Sequence, residues 1–479
     1  MDDCLNRTDA AFWHLESPAA PMHLGALALF EYPEPAGPGA AAEPGVAQPH
    51  TQPTPQTLAR LLCERAARVP LLRQKVRGGR HPAADLRWVP DPAFDAHRHV
   101  HLHPHDGDRA PEQVAADLMA TPLNPTLPPW EVHLLPRPQE VGGPATADGF
   151  ALLFKFHHAA VDGLRAVELG ARLLDQYQPR RADPTDATPH GARPRSPAPR
   201  PAARTPAAHP LLDRLTGHAQ RLLQQALIAA DVTATVLTAA LDPGPRPLHT
   251  PPTGHYRLAL PVLALDDINR IRKQHGGTVN DILLTLITAA LRTWLTDHGH
   301  HPDPGTSRIL VPVSTRHRNP GHPSGNQLSG YLLDLPVHHH DPLTRLHAVQ
   351  DTMRAHKARG PRQGPGAVAL LADLMPPLVT RLAAPLLRHS VPLLFDALVT
   401  NVPVPDLPLS LGGAQLAALH PLAPLAPGHT LAIAMTTYRR TVHLGIRTTG
   451  PTDPDHLERA LHHALTQLLQ TCNPRRQPS

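Results

Sequence analysis

Apolar residues recur along the first half of the chain with spacings that predict alternating strands and helices. An extended run, Phe150 to His158, precedes a segment with apolar residues at three- and four-residue steps, which predicts a buried strand followed by a helix. An earlier strand is predicted at Leu24 to Phe30, and a helix begins at Leu58. The pair His157 and His158 therefore lies where a predicted strand ends.

The same spacings continue through the second half of the chain. The segment YRLALPVLALDDINRIRKQ predicts a strand followed by a helix that begins near Leu265. Thr278 can cap the next helix, VNDILLTLITAALRTWL, whose apolar residues repeat at helical steps. Strands are predicted at RILVPVST and YLLDLPV, a β-hairpin at LAIAMTTY and TVHLGIRTT, and a closing helix at HLERALHHALTQLLQT.

Length and composition divide the chain into two lobes. A chain of 479 residues exceeds what one hydrophobic core usually serves. Residues Pro33 to Pro55 are rich in Pro, Ala and Gly and predict a surface insertion, whereas Pro179 to about Pro210 has almost no large apolar residues and predicts a linker. One or two helices are predicted within Leu211 to Leu241. The predicted division is an N-terminal lobe over 1–178, a linker with connecting helices over 179–249, and a C-terminal lobe over 250–479.

Composition narrows the classes of partner and location. A formal net charge of +5 favours anionic partners such as CoA phosphates or a membrane surface. Aromatic residues make up only 3%, and no basic stretch is interleaved with them, which argues against nucleic acid binding. Three widely spaced cysteines and an N-terminus without an apolar leader predict a cytoplasmic protein. Charges and prolines interrupt the most apolar stretch, Ala367 to Thr400, so peripheral membrane contact stays open but a spanning helix is not predicted.

One motif points to chemistry. Residues 157–163 read HHAAVDG and match the pattern HHxxxDG. A neutral imidazole can take the proton of an alcohol, which is a poor nucleophile near neutral pH, so we interpret His158 as a general base. An isolated histidine pair is more often two ordinary strand-end residues, but the full pattern favours the catalytic interpretation.

The other motif residues are interpreted as supports for that base. His157 and Asp162 can fix the turn and the ring orientation, and Gly163 lets the backbone fold back without a side chain. A buried aspartate needs a cationic partner, and the candidates for Asp162 are Arg73 and Arg316.

Five further motifs follow the expected order, and with them the chain resembles the bacterial wax ester synthase / acyl-CoA:diacylglycerol acyltransferase family, within the HHxxxDG acyltransferase superfamily. The opening TDAAFWHLESPAAPMHLGALALFE is similar to the N-terminal signature, and PPWEVHLL, with Trp130, to the PLW motif. The other three matches are the ND helix (Asn280 and Asp281), the GN segment (Asn326) and NVPVP, which begins at Asn401 and is similar to NVPGP. Pro129 replaces leucine in the second motif, and Val404 replaces glycine in the last, which could reshape the substrate tunnel.

The resemblance implies an α+β fold (an α/β sandwich) of two chloramphenicol-acetyltransferase-like lobes with a tunnel between them. Acyl-CoA would enter from one face and the acceptor, diacylglycerol or a long-chain alcohol, from the other, with His158 as the base and nearby donors holding the oxyanion. Acyl-CoA would be a co-substrate, and no cofactor and no metal are expected. Asn280 could lie near the reaction centre or satisfy local backbone groups. Structural roles are expected for Trp130, Asn326 and Asn401.

Three other interpretations stay open. Alternate histidines along FDAHRHVHLHPH would share one face of a strand and could bind a divalent metal, although a solvated face has the same pattern: His97, His99, His101, His103 and His105. Residues Val368 to Leu398 could form the membrane-facing surface of a noncatalytic lipid-binding protein, and association with lipid droplets also stays open. Within the enzyme class, the acceptor could be a natural-product alcohol.

Overall fold

The computed structural model describes residues 3–33, 52–78, 86–104, 109–136, 149–175, 247–249, 254–314, 328–359 and 394–472. Several predicted features lie outside these ranges: the linker and connecting helices up to residue 246, most of Val368 to Leu398, His105, Arg316 and Asn326.

Eight α-helices are present in the described ranges: α1 (Arg7–Leu15), α2 (Pro55–Ala67), α3 (Pro111–Ala120), α4 (Gly163–Leu173), α5 (Leu265–His275), α6 (Val279–Asp297), α7 (Pro342–Arg359) and α8 (Pro454–Thr471). The strands are β1 (Asp3–Cys4), β2 (His23–Glu31), β3 (Gln74–Arg77), β4 (Arg87–Pro90), β5 (Val100–Leu102), β6 (Trp130–Pro136), β7 (Gly149–His157), β8 (Tyr256–Ala259), β9 (Val262–Ala264), β10 (Arg308–Ser314), β11 (Leu328–Asp334), β12 (Ala397–Asn401), β13 (Ser410–Leu411), β14 (Ala414–Leu422), β15 (Leu431–Tyr438) and β16 (Thr441–Thr449).

Within the described ranges, most elements predicted from spacing are present close to their predicted bounds, although the strand predicted after Tyr256 is two short strands, β8 and β9. Helix α5 begins at Leu265 as predicted, and α6 follows a capping box in which the Thr278 hydroxyl and the Asp281 carboxylate each accept a backbone N–H of the other residue. Helix α2 begins at Pro55, three residues before the predicted start, because Thr54 caps it and proline suits the first turn. The predicted hairpin is β15 paired antiparallel with β16.

The N-terminal lobe is built on a six-stranded sheet in the order β13-β14-β2-β7-β6-β5. Its neighbours pair antiparallel, except that β5 and β6 run parallel. One face packs on α2 and α4, through residues such as Leu62 and Leu173, and the other face packs on α3 through Met119. A small three-stranded sheet, β1-β4-β3, lies beside it.

The C-terminal lobe is built on a seven-stranded sheet, β11-β10-β12-β15-β16-β8, with β9 paired to β16. Helices α5 to α8 cover one face, where Trp294 and Leu444 belong to the largest hydrophobic cluster. The chain is therefore α+β with two lobes, as predicted.

The opposite face of the C-terminal sheet meets the N-terminal lobe. Arg447 of β16 is fully buried and its Nη2 donates a hydrogen bond to the carbonyl oxygen of Met119 in α3, at 2.9 Å. Two residues earlier, a Cβ on Gly445 would lie 2.1 Å from the carbonyl oxygen of Pro421 in β14. Only glycine allows these two backbones to approach so closely. The two lobes are thus in direct backbone contact at this crossing.

Strands β13 and β14 follow residue 250 in the chain but belong to the N-terminal sheet, where β14 pairs with β2. A division of the chain at residues 178 and 250 therefore does not separate the two sheets. The spacing of apolar residues could not predict that β13 and β14 join the N-terminal sheet, because it indicates a strand but not the strand with which it pairs. None of the helices in the described ranges is both long and apolar enough to span a membrane.

Candidate active site

The two histidines of HHxxxDG point to opposite sides of the N-terminal sheet. Side chains alternate along a strand, and Phe154 and Phe156 of β7 face a cavity between the lobes. His158, one residue beyond the strand, continues that alternation and lines the same cavity. His157 faces the other way and is buried. The alternation of side chains along β7 thus places His158 on the cavity side of the sheet and His157 on the other, buried side.

His157 is held between a backbone amide and a buried carboxylate. The Ala159 N–H donates to His157 Nδ1 at 3.0 Å, so the ring proton is on Nε2, which lies 3.4 Å from Glu16 Oε2. The other oxygen of Glu16 lies 2.9 Å from His23 Nε2. Burial opposes ionisation of Glu16, but its contacts with both histidines hold its pKa far below the usual range. This carboxylate therefore orients the turn that carries His158.

Sequence reasoning did not single out Glu16 or the aromatic residues of α1. The Phe12 ring stacks on the His158 ring with centroids 4.1 Å apart, and Trp13 packs against His157 at 4.9 Å. Phe12, Trp13 and Glu16 all belong to the opening segment TDAAFWHLESPAAPMHLGALALFE, whose resemblance to the family signature does not distinguish individual residues. The available signal was an acidic residue, Glu16, directly after an apolar helical face.

His158 is enclosed by protein but borders the cavity. Its backbone N–H donates to the Met22 carbonyl oxygen at 2.8 Å, which ties the turn to the start of β2. Burial lowers the pKa of His158 to about 4, while smaller contributions from the backbone of His158 and Val161 and from Asp162 act in the opposite direction. The imidazole is therefore neutral at pH 7, the form that can accept a proton.

The cavity has a volume of about 140 Å³ and is lined by residues of both lobes. One wall is a face of α4 and the residue after it, with lining positions at helical steps: Gly163, Ala166, Val167, Gly170, Ala171 and Leu174. The facing wall comes from β12, β15 and the residue after β12, at alternate positions: Leu398, Thr400, Val402, Ala434 and Thr436. Among the described lining residues, His158 is the one with a titratable side chain, and only Thr400 and Thr436 carry other polar side-chain groups.

Asp162 caps α4. It is buried, and its Oδ1 accepts a hydrogen bond from the Arg165 backbone N–H at 2.9 Å. The hydrogen bond fixes the first turn of α4, and the scaffolding role of Asp162 towards His158 stays a prediction. The guanidinium of Arg73 lies over the Phe94 ring at 5.8 Å, and its pairing with Asp162 stays a prediction. Arg316, the other candidate, lies outside the described residues.

Gly163 is needed for space, not for the unusual backbone conformation that its position in a turn suggested. Its φ is not positive, but a Cβ there would lie 3.0 Å from Val402 Cγ2. The first turn of α4 therefore packs directly against the NVPVP segment of the other wall.

We expect Gly163→Ala to lower kcat/KM by about tenfold, since the added methyl displaces Val402 by a few tenths of an ångström and small misplacements in a site are costly. The double variant Gly163→Ala/Val402→Ala should recover most of this loss, because Val402→Ala removes the clashing methyl groups. Steady-state kinetics of both variants and of Val402→Ala checks this, and equal losses in the single and double variants would contradict it.

Trp130 is buried in the N-terminal lobe, and its side chain contacts other residues of that lobe. Its indole Nε1 donates to the Leu72 carbonyl oxygen at 2.7 Å, and its ring stacks on His99 with centroids 4.6 Å apart. The preceding residue, Pro129, accepts a hydrogen bond from the His157 backbone N–H at 3.0 Å. The PPW segment therefore supports the turn that carries the histidine pair.

Asn280 does not line the described part of the cavity and contacts another motif residue. Its side-chain oxygen lies 3.5 Å from Asn401 Nδ2, and Asn401 is exposed at the end of β12. Asp281 is buried and belongs to the capping box of α6. The ND and NVPVP motifs are thus brought together, whereas Asn326 is outside the described residues.

The alternating histidines do not share one face of a strand. Residues Ala96–Arg98 form a 3-10 helix, and only Val100–Leu102 are extended. His101 stacks on His133, and His103 Nε2 lies 3.0 Å from His133 Nδ1. Within the ranges that the structure covers, no group of three or more His, Cys, Asp or Glu side chains is arranged to hold a metal ion. The predicted strand face was wrong because local turns displaced its first residues.

Comparison with known proteins places these features in a family. Residues 5–283 match the model of the wax ester synthase/diacylglycerol acyltransferase catalytic domain, and residues 324–469 match the model of the WS/DGAT C-terminal domain. A Mycobacterium tuberculosis protein named as a diacylglycerol O-acyltransferase is 30% identical over 483 residues, covering 96% of this chain and 98% of that protein.

Solved structures share the fold. A wax ester synthase/diacylglycerol acyltransferase from Marinobacter aquaeolei matches with a TM-score of 0.66 and 23% identity, over 98% of this chain and 99% of that one. A variant starter condensation domain of rhizomide synthetase, in complex with C8-CoA and Leu-SNAC, matches with a TM-score of 0.55 and 16% identity, over 100% and 96%. At these identities the structural matches establish the fold alone.

Proposed function

This chain is an acyltransferase of the wax ester synthase/diacylglycerol acyltransferase family, and we propose that it transfers a fatty acyl group from acyl-CoA to an alcohol, with His158 as the general base. The observation that carries this proposal is a neutral imidazole that borders an apolar cavity as its one described titratable group. A single base in an apolar cavity suits a reaction that moves one proton and must exclude water.

The proposed reaction needs one proton acceptor and no covalent enzyme intermediate. An imidazole nitrogen of His158 takes the hydroxyl proton while the alcohol oxygen forms a bond to the thioester carbonyl carbon. The carbonyl oxygen becomes an oxyanion, and its return to a carbonyl breaks the bond between carbon and sulfur. The departing thiolate takes the proton from the imidazolium, which leaves an ester, free CoA and a neutral His158.

The apolar walls support a fatty acyl donor and a lipid acceptor. Small residues on α4, such as Gly170 and Ala171, leave room for a chain beside Phe154 and Phe156. The names of the relatives support diacylglycerol as acceptor, and the C8-CoA bound to the condensation domain supports acyl-CoA as donor. The proposed acceptors are therefore diacylglycerol, which gives triacylglycerol, and long-chain alcohols, which give wax esters.

We expect the purified protein to release CoA from palmitoyl-CoA only when an alcohol is present. Hexadecanol, dioleoylglycerol and short alcohols should be compared by product mass and thiol release. A thioester is already an activated acyl donor, so no cofactor or metal is required, and dialysis against a chelator should leave the rate unchanged. Binding of lipid without thiol release would contradict the proposal and favour the noncatalytic alternative.

A natural-product alcohol is the second candidate acceptor, and Val404 favours it. This residue stands where the family motif has glycine, and its side chain lines the cavity. A valine there occupies volume that glycine would leave to a bulky diacylglycerol. Turnover of short or cyclic alcohols above that of dioleoylglycerol in the same panel would support this candidate.

Peripheral contact with a membrane or lipid droplet completes the proposal, because lipid acceptors do not dissolve in water. Leu407 is 48% exposed and follows Val404 on the segment after β12. We propose that this segment meets the lipid surface. Flotation with liposomes, compared between the wild type and Leu407→Asp, tests this proposal, and equal flotation would contradict it.

A further inference from the structure

We infer that the Thr400 hydroxyl donates a hydrogen bond to the oxyanion of the tetrahedral intermediate. This inference rests on the proposed acyl transfer and assigns to it a second catalytic residue. An oxyanion in a cavity without water must be stabilised by a donor placed in advance, and such a donor usually contributes more than any other single group. The polar groups of the cavity wall are the candidates for this donor.

The described wall offers two hydroxyl groups, and they differ in what they already bind. Thr436 Oγ1 donates to the Val402 carbonyl oxygen at 2.7 Å, so its single proton is committed. Within the described part of the chain, the Thr400 hydroxyl makes no hydrogen bond. His158 must be neutral to act as the base. A neutral imidazole that is accepting the hydroxyl proton cannot also stabilise the oxyanion. Thr400 is therefore the side chain in the described wall with a proton still to donate.

Thr400 lies on the cavity wall that faces the HHxxxDG turn. Leu398, Thr400 and Val402 line the cavity at alternate positions, and Val402 is the residue that meets Gly163. A strand advances by about 3.3 Å per residue, so Thr400 is about 7 Å along the wall from Val402. Its backbone is fixed by the parallel pairing of β12 with β15, in which Thr400 lies opposite Ala434. A donor on a paired strand is rigid, as oxyanion stabilisation requires.

In the proposed step, the alcohol oxygen bonds to the thioester carbon and the carbonyl oxygen gains the negative charge. The Thr400 hydroxyl keeps its proton and shares it with this oxygen as a hydrogen bond. When the bond to sulfur breaks, the carbonyl re-forms and the hydrogen bond weakens. The contribution of Thr400 is therefore greatest in the transition state, and it should appear in kcat more than in KM.

The test compares Thr400→Val, Thr400→Ser and Thr436→Val with the wild type, using palmitoyl-CoA and the best acceptor. Valine has the shape of threonine without the hydroxyl. We expect Thr400→Val to lower kcat by about 100-fold with KM and melting temperature nearly constant, and Thr400→Ser to recover most of the rate. Thr436→Val should instead lower the melting temperature with a much smaller loss of kcat, because its hydroxyl holds the backbone.

Two results would overturn this inference alone. If the wild type is active and Thr400→Val has the same kcat, backbone amides or other groups hold the oxyanion. A Thr400→Ser rate as low as that of Thr400→Val would mean that the methyl group matters and the hydroxyl does not. Absence of thiol release from the wild type with every acceptor would overturn the proposed function and this inference together.

Discussion

Replacing His158 with alanine is expected to lower kcat for acyl transfer by about 10²–10⁴-fold, the range that a positioned general base contributes. The reason is that His158 is the one titratable side chain in the described cavity wall, so no neighbouring group there can take over the proton. Thiol release from palmitoyl-CoA in the presence of the acceptor measures the effect. His462→Ala is the matched control, because His462 is an exposed histidine on α8, far from the motif in sequence.

Thermal unfolding separates loss of the base from loss of the fold. His158 stacks on Phe12, so its removal should lower the melting temperature modestly while lipid binding persists. A folded His158→Ala variant with wild-type turnover would remove the assignment of the base.

The pH dependence gives a second test of the same residue. A pKa of about 4 means that His158 stays neutral as the pH falls from 8 to 6.5, so kcat/KM should stay level over this range. A base with the ordinary histidine pKa would lose half of its neutral form at pH 6.5. A decline centred near pH 6.5 would therefore contradict the environment described for this imidazole.

Mild acid is expected to destabilise the whole protein strongly. Besides His158, burial lowers the pKa of three buried histidines outside the cavity wall to about 4: His23, His429 and His443. In the unfolded chain each binds a proton near pH 6.5, so the unfolded state gains protons first as the pH falls, and stability is lost from pH 6.5 down to about 4. Each such histidine should cost about 2 kcal/mol between pH 7.5 and pH 5.

Together the three histidines would remove about 6 kcal/mol, which is comparable with the whole stability of many proteins. Glu16 does not oppose this loss. Its pKa is lowered in the folded state, so the stability that it contributes is fully present at pH values above the pKa of an unfolded glutamate and is lost only in stronger acid. Urea unfolding at pH 7.5 and pH 5, followed by the fluorescence of buried tryptophans such as Trp13 and Trp294, measures the change.

His443→Leu is the matched variant for this prediction. Within the described residues neither ring nitrogen of His443 has a hydrogen-bond partner, so leucine removes a site for protonation and breaks no described bond. The loss of stability between the two pH values should shrink by about 2 kcal/mol. An unchanged loss would show that protonation of His443 does not drive acid unfolding.

Local patterns in the sequence were enough to predict most elements and to single out His158 as the candidate base. Apolar spacing predicted β7, α5, α6 and the β15–β16 hairpin, because one buried face imposes a period of two or of 3.6 on the chain. Alternation also accounts for the difference between His157 and His158, since adjacent residues of a strand face opposite sides. The motif matches led to the family and to two lobes.

The supporting residues depended on contacts between distant parts of the chain, which no local period encodes. Glu16 reaches His157 only because β2 pairs with β7, and Val402 meets Gly163 only because two lobes close on each other. The alternating histidines after Asp95 looked like a strand face, but a 3-10 turn there redirected them. The sequence thus pointed to His158 as the candidate base. The packing of the two sheets, with β14 joined to the N-terminal sheet, decided which residues surround His158 and keep its imidazole neutral.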